Sequence, residues 1–444
     1  MKIGTIAAWH QRDLGAIVEL EKWERFYQHQ GVEIIPMRGG GIEVPDGTRV
    51  LDELDPRNPS QVAFHREVLR SSPDPRSNDA LFREVARRGL AAYKAIRTII
   101  ESERLDGLHV DALASYLISL PAAWAVAELA AEGVPMVLRS HDFTWERAYA
   151  SNPFIESLIG RVLPPTGPSV LHVVSTESAR RALAEHVPDA NAIVAPNLFP
   201  VHSTAGRGHL FRQDFGVPAD RLLLLQPTRF IPTKGIHHSV HLAHRLTVAT
   251  GQPSEILVTG SAAGGTSWKP GVAQAYAEEV TRLAQALGVS IRMLDGKLRS
   301  YASDDGAAQG VRDAYAAADI VTYPSMAEGF GNPVVESALE RRPLVTADFE
   351  VMLKEFTPLG YRPAAILRGD ATSNISSDGW TFDIALDRIE DEMVQRTQEA
   401  LSIKFAETAN SNRELVVAEY GDSRANRNRY FEPAVSWFGP TGRS

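Results

Sequence analysis

The chain contains no cysteine. That absence excludes a disulfide framework, a thiolate nucleophile and any zinc site built on thiolates. It also lacks an apolar run near the roughly twenty residues that a membrane-spanning helix requires. The opening Met1-Lys2-Ile3-Gly4-Thr5-Ile6-Ala7-Ala8 is too short an apolar stretch for a secretory signal. Positive charge is in deficit, with 46 Lys and Arg against 55 Asp and Glu and a net charge of −9. Neither nucleic acid nor an anionic membrane surface is therefore the expected main partner. Internal repeats and low-complexity tracts are missing too. What remains is the profile of a cytoplasmic globular protein. Its 444 residues suggest two or three domains, and its 44% hydrophobic content is ample to fill their cores.

Apolar runs alternate with helical patterns along most of the chain. Residues 2–8 read as a buried strand, Ala16–Gln30 as a helix and Val32–Met37 as a second strand, a β–α–β opening. The loop between them, Trp9 to Gly15, lacks the Gly-x-Gly-x-x-Gly spacing of a dinucleotide fingerprint. Residues 38–77, rich in Gly, Pro, Asp and Arg, read as an irregular excursion and a candidate flap. Helices are expected at 78–103 and 115–132, with a short strand at Leu108–Val110 between them. The strand Val134–Leu138 delivers Arg139-Ser140-His141-Asp142-Phe143-Thr144-Trp145-Glu146-Arg147 at its carboxyl end, where open α/β sheets bind ligands. His141 and Asp142 are candidates to contact a substrate there, although a single histidine is as often structural. Strands at Leu171–Val174 and Ala192–Val194, with a helix at Ser178–His186, close the first half, and Leu198–Gly208 reads as the crossing to the second.

In the second half, the strand Leu222–Leu225 runs into Gln226-Pro227-Thr228-Arg229-Phe230-Ile231-Pro232-Thr233-Lys234-Gly235. Arg229 and Lys234 flank a tight turn that leads into a helix, so two cations and a helix N-terminus can converge on a pyrophosphate. The alternative is a pair of solvated surface cations. That next helix carries His237, His238, His241 and His244; a solvated face is the expectation, a zinc site the alternative. Further strands are expected at Glu255–Thr259, Ser290–Leu294, 318–322 and Leu344–Ala347, with helices at Val272–Leu287 and Val311–Ala317. The loop Asp295–Gln309 reads as irregular, and a charged helical tail from about Leu386 to Glu419 precedes the aromatics Tyr430, Phe431, Trp437 and Phe438.

The chemistry is concentrated in Tyr323-Pro324-Ser325-Met326-Ala327-Glu328-Gly329-Phe330-Gly331-Asn332-Pro333-Val334-Val335-Glu336. A strand ends at Pro324, two glycines allow close backbone approach, and a helix with Asn332 as cap and Pro333 in its first turn follows. Glu328 and Glu336 stand on either side of this anion-binding geometry, with seven residues between them. A backbone that can hold phosphate, flanked by two carboxylates that can hold hydroxyl groups, suits a nucleotide-diphosphate sugar.

This stretch resembles the glutamate–seven–glutamate motif of retaining glycosyltransferases, in particular glycosyltransferase family 4. Arg229 and Lys234 resemble that family's arginine–four–lysine pair. The resemblance implies two Rossmann-like doubly wound α/β domains facing across a cleft, the GT-B architecture. It implies that Arg229 and Lys234 neutralise the departing nucleotide diphosphate, that Glu328, Gly329, Phe330, Gly331 and Asn332 lie along the donor hexose and phosphate, and that Glu336 grips the ribose. It places His141 near the transferring sugar and, more weakly, Gly15 near the donor phosphates. Catalysis is then carried by Glu328, His141, Arg229 and Lys234, with Glu328 acting either as nucleophile or as positioning group. No metal or other cofactor is implied beyond the nucleotide sugar as co-substrate, and no Asp-x-Asp motif stands beside the donor loop.

A finer resemblance, carried by His141-Asp142-Phe143, Trp145-Glu146-Arg147, Gln226–Arg229 and Val321–Ser325, is to the mannosylglucosylglycerate synthase branch. That branch implies GDP-mannose as donor, with UDP- or GDP-glucose as the alternative, and a small glycosylated organic acid such as glucosylglycerate as acceptor. Arg12, Arg139 and Arg147, with Asp142, are the candidates to meet such an acceptor, guanidinium groups being well matched to carboxylates; solvated or structurally paired arginines are the alternative. The expected domains are 1–205 on the acceptor side, 206–415 for the nucleotide sugar and 416–444 as a terminal helix crossing back to the first. A nucleotide-sugar epimerase and a non-catalytic nucleotide-sugar-binding protein are the competing functions.

Overall fold

A computed structural model describes residues 1–11, 15–42, 44–69, 75–146, 152–262, 271–294, 297–298, 310–368 and 384–439. The chain divides into two compact units, one formed by Met1–Asn197 with Ser423–Ser444 and the other by Leu198–Asp422.

In the first unit the strands are β1 (Lys2–Ala7), β2 (His10–Gln11), β3 (Glu33–Arg38), β4 (Gly41–Ile42), β5 (Arg49–Val50), β6 (Gly107–Asp111), β7 (Met136–Ser140), β8 (Val170–Val174) and β9 (Ala192–Val194). Seven of them form a parallel sheet in the order β5-β3-β1-β6-β7-β8-β9, while β2 and β4 pair separately. The first strand lies inside the sheet, and the strand order reverses between β1 and β6. Helices enter with side-chain caps. Ser119 accepts a hydrogen bond from Ala122 N, Thr176 from Ala179 N and Ser423 from Asn426 N, each satisfying a donor that the helix itself leaves open. The expected helices appear at Pro75–Glu103, Leu120–Ala131 and Glu177–His186.

The second unit holds β10 (Leu222–Gln226), β11 (Ser254–Val258), β12 (Ser290–Met293), β13 (Ile320–Tyr323), β14 (Leu344–Ala347) and β15 (Ala365–Leu367), all parallel, in the order β12-β11-β10-β13-β14-β15. Both faces of this sheet are covered, which is why its strands are continuous apolar runs. Leu223 and Leu225 of β10 enter the core on one face with Phe199, Tyr315 and Phe356. Leu222 and Leu224 enter the other with Ile236, Val240 and Tyr276. Two doubly wound Rossmann-like units thus stand as expected, and among the described residues no helix is long and apolar enough to cross a membrane.

Three expectations are corrected. Residues 38–77 are not irregular throughout, since Pro59–Leu69 is a helix that buries Phe64, His65 and Val68. The histidines after Lys234 do not line a solvated face, because His237, His238 and His241 are buried in the helix Ile236–Thr250. The divisions fall at 197/198 and 422/423 rather than at 205/206 and 415/416. Phe199 N donates to Tyr420 O and Asp422 N to Phe199 O, tying 198–205 and 416–422 into the second unit. The last helix, Arg424–Trp437, belongs to the first unit, where Phe431 stacks on Trp23 with ring centroids 4.0 Å apart.

Candidate functional site

In the second unit β10 and β13 are the neighbours between which the strand order reverses, and loops leaving two such strands diverge to leave a crevice at their carboxyl ends. Both charged motifs leave from there. Gln226, the fully buried last residue of β10, stitches the place together. Its Nε2 donates to Thr228 Oγ1 (3.2 Å) and to the Lys234 carbonyl (3.1 Å), while its Oε1 accepts from Ser239 Oγ (2.6 Å) and Thr322 Oγ1 (3.1 Å). All four hydrogen-bonding positions of one amide are used, and the loop 227–235 is folded back onto the strand ends.

The two loops then lock to each other. Met326 N donates to Thr233 O at 3.0 Å. Gly235 has φ +62°, and a Cβ there would lie 2.1 Å from the Pro324 carbonyl oxygen, so only glycine fits this crossing. Lys234 Nζ reaches Glu328 Oε1 at 2.5 Å, with both side chains largely buried. Arg229, on the same loop, is exposed. The structure therefore brings together Lys234 and Glu328, which are 94 residues apart in sequence.

Beyond Glu328 the chain turns through Gly331, at φ +105°, into the helix Asn332–Leu339. Gly331 occupies the cap position expected of Asn332, because a left-handed residue is needed to swing the chain into the helix. Phe330 is buried, its ring packed on Tyr420 and Phe356, so what it offers a ligand is its backbone. Glu336 lies more than a turn inside the helix, and its Oε2 accepts a 2.7 Å hydrogen bond from the buried Tyr315 hydroxyl. Tyr323 closes β13 beneath these groups. Burial first, then the negative charge of Glu328 and its hydrogen bond, push its phenol well above the ordinary range. Tyr315 was not singled out in the sequence, and Tyr323 entered only as the first residue of the motif stretch.

Two histidines of the helix beside this site are held towards the neutral form. Burial lowers His237 well below its ordinary value, and burial together with the His241 charge brings His238 to about 4. His237 Nδ1 meets the Tyr276 hydroxyl at 2.8 Å and His241 Nε2 meets the Ile384 carbonyl at 2.8 Å. Among the described residues no group of three or more His, Asp or Glu is placed to hold a metal ion.

In the first unit, His141 follows β7 and is partly exposed. Its Nε2 lies 3.0 Å from Oδ1 of Asp111, the last residue of β6, and 3.1 Å from Arg139 Nη1. Arg139, a candidate acceptor contact, is buried instead. Its Nη1 donates to Asp111 Oδ2 (3.2 Å) and its Nη2 to Asn197 Oδ1 (2.6 Å), the structurally paired alternative. Asp111 is held down at about 2; burial alone would raise it, but the charges and hydrogen bond of His141 together with Arg139 outweigh that cost. Asp142 is partly buried beside them, and Gly15 opens the helix Gly15–His29. Arg12 and Arg147 lie outside the described residues. Asp111 was missed in the sequence because nothing local distinguishes it from any polar strand end.

No protein-family model matches the chain. It is 25% identical over 368 residues to the mannosylglucosylglycerate synthase of Thermotoga maritima, covering 78% of this chain and 81% of that one. It is 24% identical over 292 residues to the protein of the same name from Petrotoga mobilis, covering 60% and 65%. The resemblance to the mannosylglucosylglycerate synthase branch thus extends over most of the chain. Among solved structures, it is similar to WaaG, a glycosyltransferase involved in lipopolysaccharide biosynthesis (TM-score 0.59, 14% identity, 99% of this chain and 100% of that one). It is also similar to Anabaena HepE in complex with UDP-glucose (TM-score 0.64, 16% identity, 98% and 99%). These structural likenesses establish the fold: a two-domain, Rossmann-like GT-B fold.

Proposed function

We propose that this chain is a retaining glycosyltransferase that moves a hexose from a nucleotide-diphosphate sugar to a hydroxyl of a small polar acceptor, with GDP-mannose as donor and glucosylglycerate as acceptor. The observation that carries the reading is the meeting of two distant loops at the strand-order reversal of the second unit, where Lys234 and Glu328 pair beside the N-terminus of Asn332–Leu339. The likeness to two mannosylglucosylglycerate synthases supports the donor and the acceptor.

The mechanism follows from where charge develops. Cleaving the bond between sugar and phosphate puts positive charge on the anomeric carbon and negative charge on the leaving diphosphate. Arg229, Lys234 and the N–H groups around Gly329–Asn332 would hold the leaving group by preorganised electrostatics, and a divalent ion is not required for that task. Glu328, paired with Lys234, lies between the two developing charges, and Glu336 takes the ribose hydroxyls.

The test is incubation with a panel of GDP- and UDP-sugars and glucosylglycerate, followed by mass spectrometry and by NMR of the anomeric linkage. Nucleoside diphosphate release with a new α-linked mannoside is expected, and it should persist in EDTA. An altered sugar with no glycoside would mean an epimerase, and binding without turnover a non-catalytic protein. A requirement for magnesium would overturn the account of the leaving group.

A further inference from the structure

We infer that Asp111 is a positioning residue that holds His141 through its Nε2, so that the neutral ring takes a single tautomer, with the proton on Nε2 and the lone pair on Nδ1. The reason lies in the accounting of hydrogen bonds around a buried carboxylate. Asp111 is 2% exposed and receives Arg139 Nη1 on Oδ2 at 3.2 Å. Its other oxygen, Oδ1, faces His141 Nε2 at 3.0 Å. If Nε2 instead accepted a bond from Arg139 Nη1, at 3.1 Å, Oδ1 would lose its histidine donor and stay charged in a buried place. With the proton on Nε2, Oδ1 is satisfied by His141 and Oδ2 by Arg139, and Nη2 of that guanidinium goes to Asn197 Oδ1 at 2.6 Å.

The backbone is built to hold this arrangement. Asp111 and Arg139 are register partners across β6 and β7, and Ala112 N donates to the Arg139 carbonyl at 2.9 Å. Ala112 takes φ +55°, a left-handed conformation unusual for a residue with a side chain, immediately after Asp111. Glu19 adds a second buried carboxylate 3.7 Å from Arg139 Nη2, so the guanidinium faces an acid on two sides and is held in place. The imidazole is then a hydrogen-bond acceptor at Nδ1, fit to receive a sugar hydroxyl and not to donate to a phosphate oxygen.

The functional part of this inference rests on His141 facing a sugar; the tautomer does not. The full-length chain is labelled with ¹⁵N-histidine, and His141 is identified by the signals lost in His141→Gln. The expected wild-type spectrum, recorded on the neutral ring at the alkaline end of a pH series, shows a protonated Nε2 and an unprotonated Nδ1. A proton on Nδ1 of that neutral wild-type ring overturns the inference whatever the activity. In Asp111→Asn the amide can donate to Nε2, so the proton should move to Nδ1; an unchanged tautomer in a folded variant also overturns it. In the transfer assay Asp111→Asn should lower kcat on the order of tenfold or more with donor KM little changed, and should add nothing in the His141→Gln background. If the tautomer is as inferred but His141→Gln turns over normally, the positioning stands and the sugar-facing role of His141 falls.

Discussion

The two units share one design, a parallel sheet whose first strand lies inside it, and both gather polar groups at the carboxyl ends of their strands. They treat charge in opposite ways. In the first unit the side chains of Arg139 and Asp111 are each 1% exposed, and their charges are spent on one another and on His141. In the second, Lys234 and Glu328 remain 15% and 12% exposed, and Arg229, on the same loop as Lys234, is exposed. A buried pair is costly to disturb and serves orientation. A pair at the rim can exchange its partner for a ligand, because water and an incoming phosphate compensate what is lost. On the proposed function, the carboxyl ends of the strands thus hold a fixed hydrogen-bond acceptor in one unit and a site for a charged leaving group in the other.

The largest effect that would break this contrast is expected from the rim cations. Lys234→Ala and Arg229→Ala should each cut turnover on the order of a hundredfold or more, since losing one donor to a developing anion costs about 2.7–4 kcal/mol. Near-normal rates in both variants would remove the leaving-group site from the second unit. The two glutamates should separate next. Glu328→Gln is expected to lower kcat, because the anomeric charge it is proposed to stabilise develops only in the transition state. Glu336→Gln should raise donor KM with kcat little changed, because ribose hydroxyls do not change charge during transfer. The reverse pattern would invert the placement of hexose and ribose.

A smaller effect concerns the joint between the loops. Gly235→Ala should destabilise the fold by about 1–3 kcal/mol, a left-handed backbone and a contact with the Pro324 carbonyl both opposing the new methyl group. An unchanged melting temperature would mean that the loops are less tightly locked. The smallest effect distinguishes the buried pair. Asp111 sits at about 2 in the folded chain, below its ordinary 3.8. Its contribution is therefore fully present above about 4 and is lost as pH falls towards 2. Denaturation midpoints from pH 5 to 2 should show a wild-type advantage over Asp111→Asn that shrinks with acidity; a constant difference would count against a depressed carboxyl.

Much of the second unit was legible because parallel strands covered on both faces must be apolar along their whole length. Leu222–Leu225 and Leu344–Ala347 announce themselves that way. Ala365–Leu367 is too short to stand out from its surroundings, and the helix Pro59–Leu69 hides in a stretch dominated by Gly, Pro and Arg. The histidine helix misled for a different reason. Imidazole counts as polar in any pattern, yet a ring with a carbonyl or hydroxyl partner is readily buried, as His237 and His241 are.

By itself the sequence determined the alternation of strands and helices, the two loops with their cations and carboxylates, and their order along the chain, because local propensity and short spacings carry that information. Only the tertiary structure decided the partners. Glu328 meets a lysine 94 residues away, Glu336 a tyrosine 21 away, and His141 an aspartate 30 away. Strand order sets each of these distances, and strand order arises from packing two apolar faces at once, which no local window of residues contains.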